Sequence, residues 1–370
     1  MSGIFVDRQP AVDQFRAIIQ PDARQWILIV GGVGGIGKTK VVSQLMSIEL
    51  PDVNRVHLSF ASPNLKQDPL AVLDTLEHSL ADQLEGNEAY QKYKDRRQSM
   101  PEAMERDRVV CITQIKVETG GTLTARDINQ KVTVDLSKAL YERKLRLRND
   151  LTREFLQVVG SFLAHHLQVR IVVFADDFES LKTLGDDGKE YAGRFLHQLL
   201  GGIYRLASGQ LRLIVSDVDG LRWLATTQEG EKASCGLAPL SQLDVYDYLH
   251  QRSIRPELHQ AIFDLTQGHP LCMALAADLC YLDCRLTSQD IKGLTLDKFD
   301  SEALAYRLFQ GIIEHTSDRA MQRLLQYGPV FRVLDDTVVQ QILAPELGQP
   351  GQAKEWSRLR ALKWTLLSRQ

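Results

Sequence analysis

The chain has 370 residues, 44% of them hydrophobic and 25% charged, with a formal net charge of -3. These are the proportions of a soluble protein of two or three domains with a large core, and they exclude a global attraction to nucleic acid, leaving only locally basic stretches. Five cysteines, with no His at a zinc-finger spacing, read as reduced and mostly buried thiols. No apolar run reaches the length of a membrane span, and the N-terminus MSGIFVDRQP lacks a signal-peptide core, so a cytoplasmic protein with no membrane partner is expected.

Taken in chain order, residues Gly3 to Gln20 pair an extended start with an amphipathic helix whose apolar positions are Ala11, Phe15, Ile18 and Ile19. Trp26 to Thr39, WILIVGGVGGIGKT, follows. Five apolar residues read as a buried strand and run into a glycine-rich turn that fits G-x-x-x-x-G-K-[ST] from Gly32 to Thr39. Such a spelling arises by chance in about one chain in a hundred of this length, so its context decides, and here a strand precedes the loop and a helix from Lys40 to Leu50 follows it. Glycines let successive backbone N–H groups surround an anion at the positive end of the helix. The candidate nucleotide cradle is therefore Gly32, Val33, Gly34, Gly35, Ile36, Gly37, Lys38 and Thr39, with Lys40 next to it. Lys38 would place a point charge on the β- and γ-phosphate oxygens, and the Thr39 hydroxyl would complete the shell of a magnesium ion, Mg²⁺.

A second strand is expected at Val56 to Phe60, then a helix that Asp68 caps, opening at Pro69 and running to Leu84. From Gly86 to about Asp150 the chain changes character and reads as an insertion between strands of the nucleotide-binding sheet. It holds a charged stretch from Tyr90 to Arg108, two strands at 109–117 and 131–134, and a helix from Leu136. That helix carries Lys138, Arg143, Lys144, Arg146, Arg148 and Arg153, a basic stripe read as a solvated face, with contact to nucleic acid or a partner as the alternative.

Arg170 to Ser180, RIVVFADDFES, is the second informative stretch. A short apolar run forms a buried parallel strand, and carboxylates follow at its C-terminal end, where doubly wound sheets hold ligands. Asp176 would hold Mg²⁺, and Asp177 or Glu179 would accept a proton from an attacking water. Leu211 to Asp217 is another buried strand, and Ser216 stands where it would sense a γ-phosphate or position water, unless it merely forms a turn. A weak fifth strand is expected at Ser234 to Leu237, closed off by Pro239.

Beyond that strand the pattern is helical: Gln242 to Arg252, Pro256 to Thr266, Pro270 to Leu282, Ser288 to Gly293 and Ser301 to Thr316. Ser317 to Gln370 fits a small winged-helix unit or a plain helical module, and ends in a segment with Lys354, Arg358, Arg360, Lys363 and Arg369.

Four motifs in this order resemble the STAND class of P-loop ATPases, which includes NB-ARC proteins: GGVGGIGKT at Gly31 to Thr39, VVFADDFE at Val172 to Glu179, LAPLS at Leu237 to Ser241, and GHPL at Gly268 to Leu271. The resemblance covers Ile4 to Leu282 outside the insertion. It implies an α/β P-loop core with a parallel sheet over residues 1–240, with the insertion at 86–150, a helical lid over 241–316 and a winged-helix domain over 317–370. It further implies that Arg8, at the end of the N-terminal segment, lies near the adenine and that Pro270 packs on the base. Two positions depart from the family pattern: Asp7 stands where Gly is usual, and Asp217 follows Ser216 where an arginine commonly contacts the γ-phosphate. Arg212 and Arg222 are the candidate substitutes, and otherwise a neighbouring subunit would complete the site.

The functional expectation is a slow ATPase with Lys38, Asp177, Glu179 and Ser216 in catalytic roles, Thr39 and Asp176 on the metal, and ATP/ADP as a switch for homo-oligomerisation. Further sensor or effector domains would supply the signal. An ATP-dependent transcription regulator binding DNA through the winged helix, and a fast motor, remain as alternatives, to be told apart by salt-dependent duplex binding and by turnover rate.

Overall fold

A computed structural model describes residues 8–62, 65, 69–99, 146, 149–184, 197–206, 209–217, 231–296, 298–316, 322 and 326. The strands expected at 109–117 and 131–134, most of the basic stripe, Arg222 and the winged-helix segment lie outside these residues. The described residues fall into two compact units. One holds Pro10–Gly31 and Thr39–Gly236; the other holds those within Met1–Gln9, Gly32–Lys38 and Leu237–Gln370.

The first unit is built on five strands: β1 (Ile27–Gly31), β2 (Val53–Ser59), β3 (Arg170–Asp176), β4 (Leu211–Asp217) and β5 (Lys232–Gly236). They form one sheet in the order β2-β3-β4-β1-β5, and every pairing is parallel. β3 and β4 are buried along nearly their whole length, as expected of parallel strands covered on both faces, which is why their sequences read as unbroken apolar runs. Because all five run the same way, their C-terminal ends share one edge. The register sets Gly31 beside Asp217 and Ala175 beside Val215. The ends of β1, β4 and β3 therefore lie next to one another, with β4 in the middle. The second and fifth strands begin and end one to three residues from where the apolar pattern puts them, the usual uncertainty of element ends.

Helices α1 (Gln9–Ile18), α2 (Lys38–Ser47), α3 (Pro69–Leu84), α4 (Glu88–Gln98), α5 (149–165) and α6 (His197–Leu206) accompany the sheet. Tyr90 and Tyr93 of α4 are buried in the same hydrophobic cluster as Val56, Leu80, Phe155 and Val173. The segment read as an insertion from Gly86 thus begins with residues that build the core. Asn87 caps α4 by accepting from the amides of Ala89 and Tyr90 at 2.9 and 3.2 Å. Arg97 pairs with Asp74 and Glu77, and Arg96 with Glu154, so the charges of α4 hold it against its neighbours. Arg153, one of the described members of the basic stripe, is largely exposed and lies 3.7 Å from Asp150, as on a solvated helix face.

One arginine is an exception to the rule that charges stay outside. Arg212, on β4, is 1% exposed. Its guanidinium donates to the carbonyls of Ile18, the last residue of α1, and Gln20 just beyond it, and to those of Gly209 and Leu211. Arg170 donates to the carbonyl of Ile19. Helix α1 leaves its last carbonyls without intrahelical donors, and these two arginines supply them. Arg212 is the second residue of β4, at the opposite end of the strand from Ser216, so it does not stand in for a γ-phosphate cation.

The helical unit contains α7 (Gln242–Gln251), α8 (Pro256–Thr266), α9 (Pro270–Leu282), α10 (Ser288–Lys292) and α11 (Ser301–His315). Residues Cys272 to Cys280 of α9 are all buried, which makes it the centre around which the others pack. Ser241 and Asp244 form a capping box on α7, and Thr287 and Asp290 one on α10. The one acid inside α9, Asp278, pairs with Arg252. Cys235, Cys272 and Cys280 are buried, and Cys284 is exposed. Among the described residues no helix is long and apolar enough to cross a membrane.

Candidate functional site

On the sheet side, Asp176 ends β3 and is 2% exposed. Its Oδ1 accepts hydrogen bonds from Thr39 Oγ1 at 3.3 Å and from Ser216 Oγ. The backbone N–H of Asp177 in turn donates to Ser216 Oγ at 3.0 Å. The Ser216 hydroxyl therefore has its hydrogen on one carboxylate and a lone pair on the next peptide. It ties the end of β4 to the turn after β3. This is a different task from touching a γ-phosphate or a water.

Asp177 has φ of 55°, a left-handed conformation that Asp and Asn tolerate better than other side chains. It reverses the chain so that β3 passes directly into a 3₁₀ turn, Phe178–Leu184. Ser180 closes that turn by donating its amide to the Asp177 carbonyl at 2.9 Å and its hydroxyl to the Phe60 carbonyl at 2.6 Å. Asp177 and Glu179 are half-buried there, and Asp217 at the end of β4 is fully buried.

Thr39 Oγ1 and Asp176 Oδ1 are two hard oxygen donors 3.3 Å apart. Among the described residues no group of three or more His, Cys, Asp or Glu side chains is placed to hold a metal. Mg²⁺ keeps several waters and is bound through one or two protein oxygens plus phosphates, so this pair fits a magnesium ion that arrives with a nucleotide. Thr39 and Asp176 would hold it.

The loop Gly32 to Lys38 continues the chain out of β1 and into α2. Its carbonyls are engaged one after another. Lys38 is 7% exposed, and its Nζ donates to Gly32 O at 3.0 Å and Val33 O at 3.4 Å. Gly34 O lies 3.0 Å from His269 Nε2, and Gly35 O accepts from the amide of Leu271 at 3.3 Å. Ile36 O accepts from Arg8, at 3.0 Å, while the other arm of that guanidinium donates to Ala238 O at 2.7 Å. A trans peptide sets its N–H opposite its C=O. Fixing these carbonyls fixes the direction of the amide hydrogens that follow them, which is the property an anion cradle needs.

Of the residues singled out in the sequence, Lys38 and Arg8 thus serve the loop's own backbone here. Thr39 and Lys40 are exposed at the start of α2, and Pro270 is the first residue of α9. His269 and Leu271 were not foreseen as site residues. The sequence signals for them are the GHPL motif at Gly268 to Leu271 and the helix start that Gly268-His269-Pro270 announces.

Gly35 and Gly268 show why that start is spelled as it is. A Cβ on Gly35, at φ +75°, would come within 2.9 Å of both His269 Cε1 and Leu271 Cβ. A Cβ on Gly268, at φ +72°, would sit 2.1 Å from the Leu240 carbonyl oxygen, so only glycine lets the two segments meet. His269 follows as the N-cap of α9, its Nδ1 accepting from the Cys272 amide at 3.5 Å. With Nδ1 an acceptor, the ring's one hydrogen is on Nε2, and it is donated to Gly34.

Burial pushes the His269 pKa below its ordinary 6.5, partly offset by the bond to Gly34. A depressed folded value means that the stabilisation is complete above about pH 6.5 and is lost as the pH falls from there towards the folded value, because the unfolded chain takes up the proton first. In thermal unfolding, the wild type should therefore lose stability relative to a His269→Gln variant as the pH is lowered below 6.5. Parallel profiles would refute the assignment.

The strand order is that of an α/β fold with a parallel sheet, and the loop after β1 keeps the G-x-x-x-x-G-K-[ST] spelling. No family model and no curated protein matches the chain. Among solved structures it is similar to a STAND protein with a tetratricopeptide repeat sensor from Pyrococcus horikoshii, at 13% identity and a TM-score of 0.40, over 97% of this chain and 52% of that one. It is also similar to the Aeropyrum pernix ORC2 protein, solved with ADPNP and ADP, at 12% identity and a TM-score of 0.42, over 98% of this chain and 88% of that one. The chain spans about half the length of the first. Likeness at these scores carries no weight by itself, and the class rests on the loop and the sheet.

Proposed function

We propose that the protein is a STAND-type ATPase that binds ATP and ADP with Mg²⁺ and works as a slow switch controlling self-assembly. The observation that carries the nucleotide reading is the loop itself: carbonyls from Gly32 to Ile36 are all engaged, so its following amides are held for phosphate before any ligand arrives. Lys38 would leave Gly32 and Val33 for the β- and γ-phosphate oxygens. Thr39 and Asp176 would hold Mg²⁺, which would supply neutralising charge for the leaving group. Asp177, half-buried next to Asp176 in the chain, is the candidate to take the proton from water, with Glu179 in the same turn as the alternative.

Slow turnover is supported by Ser216, whose hydrogen already belongs to Asp176, and by Arg212, which is buried on backbone carbonyls. Neither is available to stabilise the charge of a transferring phosphoryl group. A switch requires only that ATP and ADP differ in their preference for two arrangements of the chain by a few kcal/mol. The test is the mass of the full chain with ADP and with a non-hydrolysable ATP analogue. A larger assembly with the analogue is expected, whereas the same mass with both nucleotides and rapid steady-state hydrolysis would identify a motor instead.

A further inference from the structure

The bond between His269 Nε2 and the Gly34 carbonyl joins residues 235 positions apart. His269 is 3% exposed, and it touches the loop from the start of α9. One ring does two things at once: Nδ1 caps α9 by accepting from the Cys272 amide at 3.5 Å, and Nε2–H holds Gly34 at 3.0 Å. The adjacent bond from the Leu271 amide to Gly35 O, 3.3 Å, belongs to the same helix start. Any movement of the first turn of α9 is thus transmitted to two successive peptide planes of the loop. The Gly34–Gly35 plane is the sensitive one, because neither flanking residue has a side chain to resist rotation.

We propose that His269 is a positioning residue of the nucleotide site, which fixes the Gly34–Gly35 peptide through its Nε2–H, so that the start of α9 sets nucleotide affinity through the loop. This rests on the nucleotide reading given above and adds to it the route by which the start of α9 acts on the loop. With Gly34 O pinned, the Gly35 N–H faces the opposite side of its plane and stays available to an anion. With the pin removed, the plane is free to turn, and binding must first reorder it. The same linkage runs in reverse: a nucleotide that orders the loop strengthens the hold of the loop on the start of α9.

Two substitutions separate the two bonds of the ring. Asparagine places its oxygen where Nδ1 was and keeps the cap, but it does not reach Gly34. Glutamine places its amide where Nε2 was and keeps the bond to Gly34, but it gives up the cap. In the full chain, titrated with ADP and Mg²⁺, His269→Asn should weaken binding about fivefold, the worth of one neutral hydrogen bond, with an unfolding midpoint no lower than that of His269→Gln. His269→Gln should bind as the wild type does with a lower midpoint. In the nucleotide-free chain, hydrogen exchange of the loop amides at Gly32–Lys38 should quicken in the Asn variant and not in the Gln variant. The proposal is overturned if both variants bind ADP like the wild type, if affinity simply follows the midpoint, or if loop exchange is the same in both. Wild-type chain that fails to bind ADP would overturn the nucleotide reading as well; wild-type chain that binds while His269→Asn binds equally overturns this inference alone.

Discussion

Replacing Lys38 by alanine should abolish binding of ADP and ATP, and replacing Asp177 by asparagine should leave binding intact while stopping turnover. The first follows from the position of the ammonium, buried to 7% exposure against the Gly32 and Val33 carbonyls at the mouth of α2. Alanine removes both the charge for the phosphates and the donor for two loop carbonyls. In the wild type, ADP at a hundred times its Kd would add about 2.7 kcal/mol to the unfolding free energy. The Lys38→Ala chain should show no ADP-dependent shift in its unfolding midpoint, and a shift like that of the wild type would remove Lys38 from the site.

Asparagine at 177 accepts the left-handed φ of 55° that aspartate adopts there, and it keeps the backbone N–H that bonds Ser216. The negative charge and the capacity to take a proton are lost. If Asp177 is the base, single-turnover mixing should show ATP bound and persisting, with a rate loss of about a hundredfold or more. Unchanged turnover would move the role to Glu179, and the corresponding glutamine variant would then carry the loss.

Replacing Arg212 by methionine should lower stability by about 3–5 kcal/mol, the range for stripping a buried charged group from its partners. Four backbone carbonyls receive this guanidinium, one of them on the last residue of α1 and one just beyond it, and burial lowers its pKa without removing its charge. Methionine fills the stem of the side chain and satisfies none of those carbonyls. The unfolding midpoint should fall by about 10 °C, while the Kd for ADP of the folded chain stays as it was. A loss of ADP affinity with an unchanged midpoint would return Arg212 to the nucleotide site, where its place in the sequence near Ser216 had made it a candidate.

The sequence alone determined the loop from Gly32 to Thr39, the strand ahead of it, the acidic end of β3 and the bounds of the two helices Pro256–Thr266 and Pro270–Leu282. Each is written in short-range terms: an apolar run that must be covered, glycines where the chain turns, proline where an N–H is not needed. The tertiary structure alone decided which polar atoms meet. Nothing local to Ser216 says that its hydroxyl bonds Asp176, 40 residues earlier, and nothing local to Arg212 says that it serves carbonyls 192 and 194 positions away. The start of α9 was legible as a helix boundary, yet its hold on Gly34 and Gly35 depends on Gly268 passing close to Leu240. Hydrogen bonds between distant segments are set by the packing that brings them together, and that packing is a property of the whole chain.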